Sequence, residues 1–201
     1  MLKLKKLAIT GGLSSGKTTV CHLFKDLGAF VVSADKIVHN LLVPDSVIGQ
    51  KVIQLFSLNI VENNSLNRKK IAQQAFLDLK LLKALEALIH PVVYAEIEKE
   101  YQHARQAGKY LLFVAEIPLL YELFKQDEFD IVITVTADLS ICQERFIKQI
   151  HQTIREFEQR MAQQINPENK AKKSDYVIKN NESLACLRDQ VTKLYSLLTT
   201  Q

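Results

Sequence analysis

The run Gly11-Gly12-Leu13-Ser14-Ser15-Gly16-Lys17-Thr18 constrains this chain more than any other stretch. It matches G-x-x-x-x-G-K-S/T and stands between an apolar run, Leu7 to Thr10, and an amphipathic one, Lys17 to Leu27. This is the strand, loop and helix order that a phosphate-binding loop requires. Three of the chain's six glycines fall within these eight residues, where the backbone must bend tightly and bring its amides up to phosphate oxygens. In such a loop Lys17 bridges the β- and γ-phosphates and the Thr18 hydroxyl enters a Mg²⁺ shell. The expected nucleotide-binding residues are Gly11, Gly12, Leu13, Ser14, Ser15, Gly16, Lys17, Thr18 and Thr19, with ATP and Mg²⁺ as ligands.

The rest of the chain fits an α/β fold around that loop. Apolar or β-branched runs at Leu7 to Thr10, Ala29 to Ser33, Tyr110 to Ala115, Ile131 to Thr136 and Tyr176 to Lys179 read as strands. Helical periodicity separates them at Lys17 to Leu27, Ala137 to Gln149 and Leu184 to Leu198. The alternation predicts parallel strands, and the unbroken runs Leu111 to Ala115 and Ile131 to Val135 belong in the middle of the sheet. The expected core is 1–35, 110–147 and 166–201. Residues 36–109, with helical patterns at Asn67 to Leu79, Leu81 to His90 and Val92 to Ala107, form an acceptor-binding helical subdomain. Residues 148–165, carrying Arg155 and Arg160, form a lid.

Composition narrows the function. With 47% hydrophobic and 24% charged residues the chain reads as globular, and it has no uncharged run long enough to span a membrane. Three widely spaced cysteines, Cys21, Cys142 and Cys186, give no C-x-x-C pair, so neither a disulfide framework nor a zinc site is expected, and a cytoplasmic location is. A net charge of +4 is enough for phosphate ligands and too little to argue for nucleic acid. The partners expected are small molecules, with no nucleic acid or membrane, and a monomer is the default.

A GTP-binding switch would carry N-K-x-D, and Asn169-Lys170-Ala171-Lys172 fails at the acid. A kinase fits better. Asp35, just past the second strand, would face the γ-phosphate and take a proton from an acceptor hydroxyl; capping the helix that starts near Lys36 is the alternative for Asp35 or Ser33. Glu116 ends the third strand at the same edge, where an acid would hold water of the Mg²⁺ shell, or else form an ion pair. Asp130 begins its strand and so faces the opposite edge. Arg145, with Lys148 nearby, would reach over the triphosphate, or else sit as charge on a solvated helix face.

The stretch from Thr10 to Val20, Ala34-Asp35, Leu66-Asn67-Arg68, His90-Pro91, Ile117-Pro118-Leu119-Leu120-Tyr121-Glu122, Gln143-Glu144-Arg145, Asp175-Tyr176-Val177-Ile178 and Asn180 together resemble the dephospho-CoA kinase family. The resemblance covers almost the whole chain. It implies a P-loop nucleoside-triphosphate hydrolase fold with a five-stranded parallel sheet. The implied reaction moves the ATP γ-phosphoryl to the ribose 3′-hydroxyl of dephospho-CoA. It further implies Asp35 as general base, Arg145 as a phosphate-stabilising lid residue and Asn180 at the nucleotide, with Thr10, Asp35, Arg68, His90 and Glu116 on the acceptor side. His90-Pro91 also fits a plain helix end. Two departures from the family pattern stand out: Ser33 replaces an acid, and Gln149, Ile150 and His151 replace a second lid arginine and a glycine turn. The same residues would also serve another small-molecule or nucleotide kinase, or a binding module that holds nucleotide without transferring phosphate.

Overall fold

A computed structural model describes residues 4–150 and 153–200. The chain divides into two compact units, Met1–Ser33 with Tyr101–Gln201, and Ala34–Glu100. The first holds a five-stranded parallel sheet of β1 (Lys5–Gly11), β2 (Phe30–Ser33), β5 (Leu112–Glu116), β6 (Ile131–Thr136) and β7 (Tyr176–Lys179), in the order β2-β5-β1-β6-β7. The two apolar runs expected inside the sheet flank β1, the central strand, and Leu112, Phe113, Val114 and Ala115 are wholly buried. Covering both faces is what allows such runs to lack polar alternation. Helices α1 (Lys17–Asp26) and α9 (Leu184–Thr200) pack on each other, and Val20, Phe24, Leu187 and Val191 join Leu7, Ile9 and Val114 in one core.

Parallel pairing brings the strand ends to one edge: Ile9 and Ser33 both lie in register with Glu116, and Gly11 with Val135. Three helices follow β6: α6 (Leu139–Ile150), α7 (Ile154–Met161) and α8 (Pro167–Lys173). Thr153 and Glu156 start α7 with a reciprocal capping box, which satisfies two backbone donors at once. His151 lies outside the described residues, as do the side chains of Gln149 and Ile150.

The second unit contains α2 (Ala34–Leu41), α3 (Val47–Phe56), a hairpin of β3 (Val61–Glu62) and β4 (Ser65–Leu66), α4 (Arg68–Leu77) and most of α5 (Leu79–Ala107). The hairpin is absent from the helical reading of this region. Asn63 and Asn64, at φ 48° and 58°, supply its two-residue turn, for which asparagine is well suited. The expected stop at His90-Pro91 is also corrected, because α5 runs through Pro91. An interior proline costs ~3 kcal/mol or more. Ile89, Val93 and Ile97, all buried on this helix, return roughly 1.5–3 kcal/mol each, which outweighs that cost.

The division points differ from 35/36 and 109/110 for local reasons. Helix α2 begins directly after β2 and takes Asp35 with it. At the other end the last turns of α5 belong to the sheet unit: Tyr101 meets Phe113 edge-on at 5.3 Å, and His103 meets Phe30 at 6.2 Å.

Candidate active site

The loop between β1 and α1 has the backbone shape its glycines predict. At Gly11, φ is 145° and a Cβ would lie 2.1 Å from the Val135 carbonyl oxygen. Gly16, the N-cap of α1, has φ 97°, and a Cβ there would lie 2.1 Å from Asn180 Nδ2. A glycine cap has no side-chain oxygen to offer the first helical amides, and α1 carries no acid in its first turn. The positive end of such a helix favours an anion. The Lys17 ammonium lies under the loop, donating to the carbonyls of Gly12 at 2.7 Å and Gly11 at 3.3 Å.

Glu116 is buried at its strand end and accepts a 2.6 Å hydrogen bond from the Thr18 hydroxyl. Its partner is a hydroxyl and not a cation, so the ion-pair alternative does not describe it. Asp130 serves the opposite edge, where its carboxylate accepts from the Lys6 amide at 2.8 Å. The adjacent hydroxyl and carboxylate are hard oxygen donors that fit Mg²⁺. No group of three or more His, Cys, Asp or Glu occurs among the described residues that could form an all-protein cage. Mg²⁺ commonly needs only one or two protein oxygens, taking the rest from substrate phosphates and water.

On the other side of the loop, Asn180 donates from Nδ2 to the Ser15 carbonyl at 2.8 Å, and Arg145 Nη2 donates to the Asn180 carbonyl at 3.0 Å. Arg145 Nη1 and Ser15 Oγ are buried without a partner among the described residues. Leaving a buried guanidinium N–H unmade is costly, and phosphate oxygens are acceptors of the right charge for it. The solvated-face alternative for Arg145 is therefore corrected. Lys148 is the residue on that face, exposed and paired with Glu144.

Leu13 packs against a small apolar cluster of Cys142, Phe146 and Phe157, with Ala137 and Met161 beside it. The rings of Phe146 and Phe157 meet edge-on at 5.4 Å, and the Arg160 guanidinium lies 5.6 Å over Phe146. Helices α6 and α7 thus share their core with the phosphate-binding loop. Burial raises the Cys142 thiol pKa, which keeps it protonated and inert.

Thr10 stands near the end of β1. It is fully buried and its hydroxyl donates to the Pro118 carbonyl at 3.2 Å, which ties the strand end to the turn after Glu116. In the second unit, Asp35 lies in the first turn of α2 and not at its cap. Arg68 is exposed at the start of α4, whose cap, Asn67, accepts from the Lys70 amide at 3.0 Å. His90 is half-buried within α5, and burial lowers its pKa against an opposing pull from Glu86.

Lys170 and Glu122 are missed by the sequence reading. Lys170 sits wholly buried in α8, 2.7 Å from Glu122 and 2.8 Å from the Pro118 carbonyl. Only Glu122 carries any signal, through the motif from Ile117 to Glu122. Lys170 is one lysine among four charged residues on a short helix, and nothing in its neighbours marks it as buried.

A cradle of this kind at the carboxyl edge of a five-stranded parallel sheet belongs to the P-loop phosphotransferases. Within that class the chain belongs to the dephospho-CoA kinase family, whose sequence pattern matches residues 6–185. It is 46% identical over 199 residues to a dephospho-CoA kinase of Protochlamydia amoebophila, covering 98% of each chain. A dephospho-CoA kinase structure from Campylobacter jejuni superposes with a TM-score of 0.72 at 27% identity, covering 97% of both chains. A Thermus thermophilus crystal structure reaches a TM-score of 0.83 at 28% identity over 98% of both.

Proposed function

We propose that the chain transfers the γ-phosphoryl group of ATP to the ribose 3′-hydroxyl of dephospho-CoA, releasing CoA and ADP, with the roles that follow. The loop amides of Gly11 to Thr19 hold the triphosphate, and Lys17 shifts from the Gly11 and Gly12 carbonyls to the β- and γ-phosphate oxygens. Thr18 and Glu116 would hold Mg²⁺, which would supply charge neutralisation during phosphoryl transfer. Arg145 directs its unpaired Nη1 to the phosphoryl oxygens as charge develops there, and Asn180 holds both Arg145 and the loop. Asp35 accepts the proton of the attacking hydroxyl late in the transfer, when oxygen–phosphorus bonding has acidified it. Residues 34–100 receive the acceptor through Arg68 and His90, and the lid spans 148–165.

The observation that carries this reading is the buried Arg145 Nη1, without a partner among the described residues and held beside the loop by Asn180. For Asp35 the support is chain order: it follows by two residues Ser33, the register partner of Glu116. Among the described residues no helix is long and apolar enough to cross a membrane. The reading takes the chain as a cytoplasmic monomer with small-molecule partners only. The test is ADP release from Mg-ATP with and without dephospho-CoA, with CoA identified by mass spectrometry. Acceptor-dependent CoA formation is expected; ATP binding without CoA would sink the acceptor assignment.

A further inference from the structure

Behind the phosphate-binding edge lies a buried polar junction with no assigned task in the reaction. The Lys170 ammonium has no solvent exposure and is held by Glu122 Oε1 at 2.7 Å and the Pro118 carbonyl at 2.8 Å. The same Glu122 oxygen accepts from the Ile165 amide at 2.8 Å, and the same Pro118 carbonyl accepts from the Thr10 hydroxyl at 3.2 Å. One ammonium thereby joins three segments: the end of β1 that enters the loop, the turn that follows Glu116, and the chain that leads from α7 into α8. At the head of α8, Pro167 stands against the loop itself, its Cγ 2.9 Å from where a Cβ of Gly12 would be.

Burying such a pair is expensive, and an apolar filling of the same volume would serve stability as well or better. What a methylene chain cannot supply is direction. The ammonium orients two carbonyl or carboxylate acceptors, and through them the backbone of 117–122 and 165–167. Pro118 is two residues beyond Glu116, the acid that holds Thr18. Gly12 is the loop residue whose carbonyl Lys17 meets at 2.7 Å.

We propose that Lys170 and Glu122 form a positioning pair for phosphoryl transfer, holding the Glu116 strand end and the head of α8 in register with the phosphate-binding loop. The pair touches neither substrate nor reacting atoms and acts through Glu116 and Gly12. The inference rests on the nucleotide half of the function proposed above and needs nothing of the acceptor half.

The test uses the full chain with Lys170→Met, Lys170→Arg, Glu122→Gln and the Lys170→Met/Glu122→Gln double variant. Folding is followed by circular dichroism, the Mg-ATP Kd by calorimetry without acceptor, and kcat and the Mg²⁺ activation midpoint with dephospho-CoA. Folded Lys170→Met is expected to raise the Mg-ATP Kd about 10-fold, move the Mg²⁺ midpoint upward and lower kcat by about 10- to 100-fold. Lys170→Arg should restore part of the loss, and the double variant should be no worse than Lys170→Met alone. A lowered Tm with unchanged Kd, kcat and Mg²⁺ midpoint per folded molecule would make the pair purely structural and overturn the proposal, as would additive losses in the double variant. If Lys170→Met does not fold, Glu122→Gln decides: it keeps an acceptor for Ile165, and a several-fold shift in Mg-ATP Kd supports the pair while none refutes it. The calorimetric readout separates this from the acceptor assignment, since wild type that binds Mg-ATP but makes no CoA still allows the comparison.

Discussion

Around the phosphate-binding loop, the candidate residues are tied to one another or to the loop: Thr18 to Glu116, Lys17 to Gly11 and Gly12, Arg145 to Asn180 and Asn180 to Ser15. In the 34–100 unit, Asp35, Arg68 and His90 stand on three different helices, α2, α4 and α5. The proposed nucleotide residues are set by one parallel sheet whose strand ends share an edge, with Arg145 already held beside the loop. The proposed acceptor residues are side chains placed by separate helices. Preorganised donors contribute most where charge develops, so the largest losses are expected on the nucleotide side.

Lys17→Ala should show this most strongly, lowering kcat/KM by ~10³-fold or more while the chain stays folded. Arg145→Ala should cost less, about 10²- to 10³-fold. Lys148, engaged with Glu144 on the outer face, is not positioned to replace it, and Lys148→Ala should change kcat/KM by less than about 2-fold. Steady-state kinetics on the three variants checks the order; a larger loss for Lys148 than for Arg145 would reverse the assignment of the two cations.

Asp35→Asn sharpens the contrast from the other unit. Its kcat is expected to fall by ~10²- to 10⁴-fold with Mg-ATP affinity near wild type. Near-normal turnover would reduce Asp35 to a favourable charge in the first turn of α2.

A smaller effect concerns pH. Burial holds the folded-state pKa of His90 below its ordinary 6.5, so the unfolded chain takes up its proton first. That contribution to stability is fully present above about 6.5 and is lost as pH falls through the folded value. Thermal melts at stepped pH should show a steeper loss on the acid side for wild type than for His90→Asn; parallel curves would assign the loss to other groups.

The smallest expected change is a gain. Phe124 is exposed and has φ 53°, at the end of a turn closed by Lys125 N to Leu120 O and Phe124 N to Tyr121 O. That is the pattern in which a left-handed residue, usually glycine, ends a helical turn. The left-handed conformation costs an L-residue ~1–2 kcal/mol, and glycine gives back part of that gain in entropy. Phe124→Gly should therefore raise stability by roughly 0.5–1 kcal/mol in denaturant titration; a destabilisation would mean that the ring does work in the fold.

The phosphate-binding loop was legible in sequence because its requirements are local. Gly11 and Gly16 are needed for positive φ and close approach, and the strand and helix on either side declare themselves by their periods. The hairpin at 61–66 had a signal too, Asn63-Asn64, hidden by strands of only two residues each. Pro91 misled because a propensity of ~3 kcal/mol was weighed without the burial that opposes it.

From sequence alone come the loop, the parallel α/β sheet, the placing of Glu116 and Asp130 at opposite edges, and the family. These follow from nearest neighbours in the chain and from the rule that parallel strands end together. Tertiary structure alone decided that Thr10 is buried against Pro118, that Arg145 rather than Lys148 turns toward the loop, and that Lys170 is a buried cation. Each of those depends on partners far away in sequence: Thr10 on Pro118, Arg145 on Asn180, and Lys170 on Glu122. A side chain's burial and its hydrogen-bond partner are set by what folding brings against it, and periodicity carries no record of that.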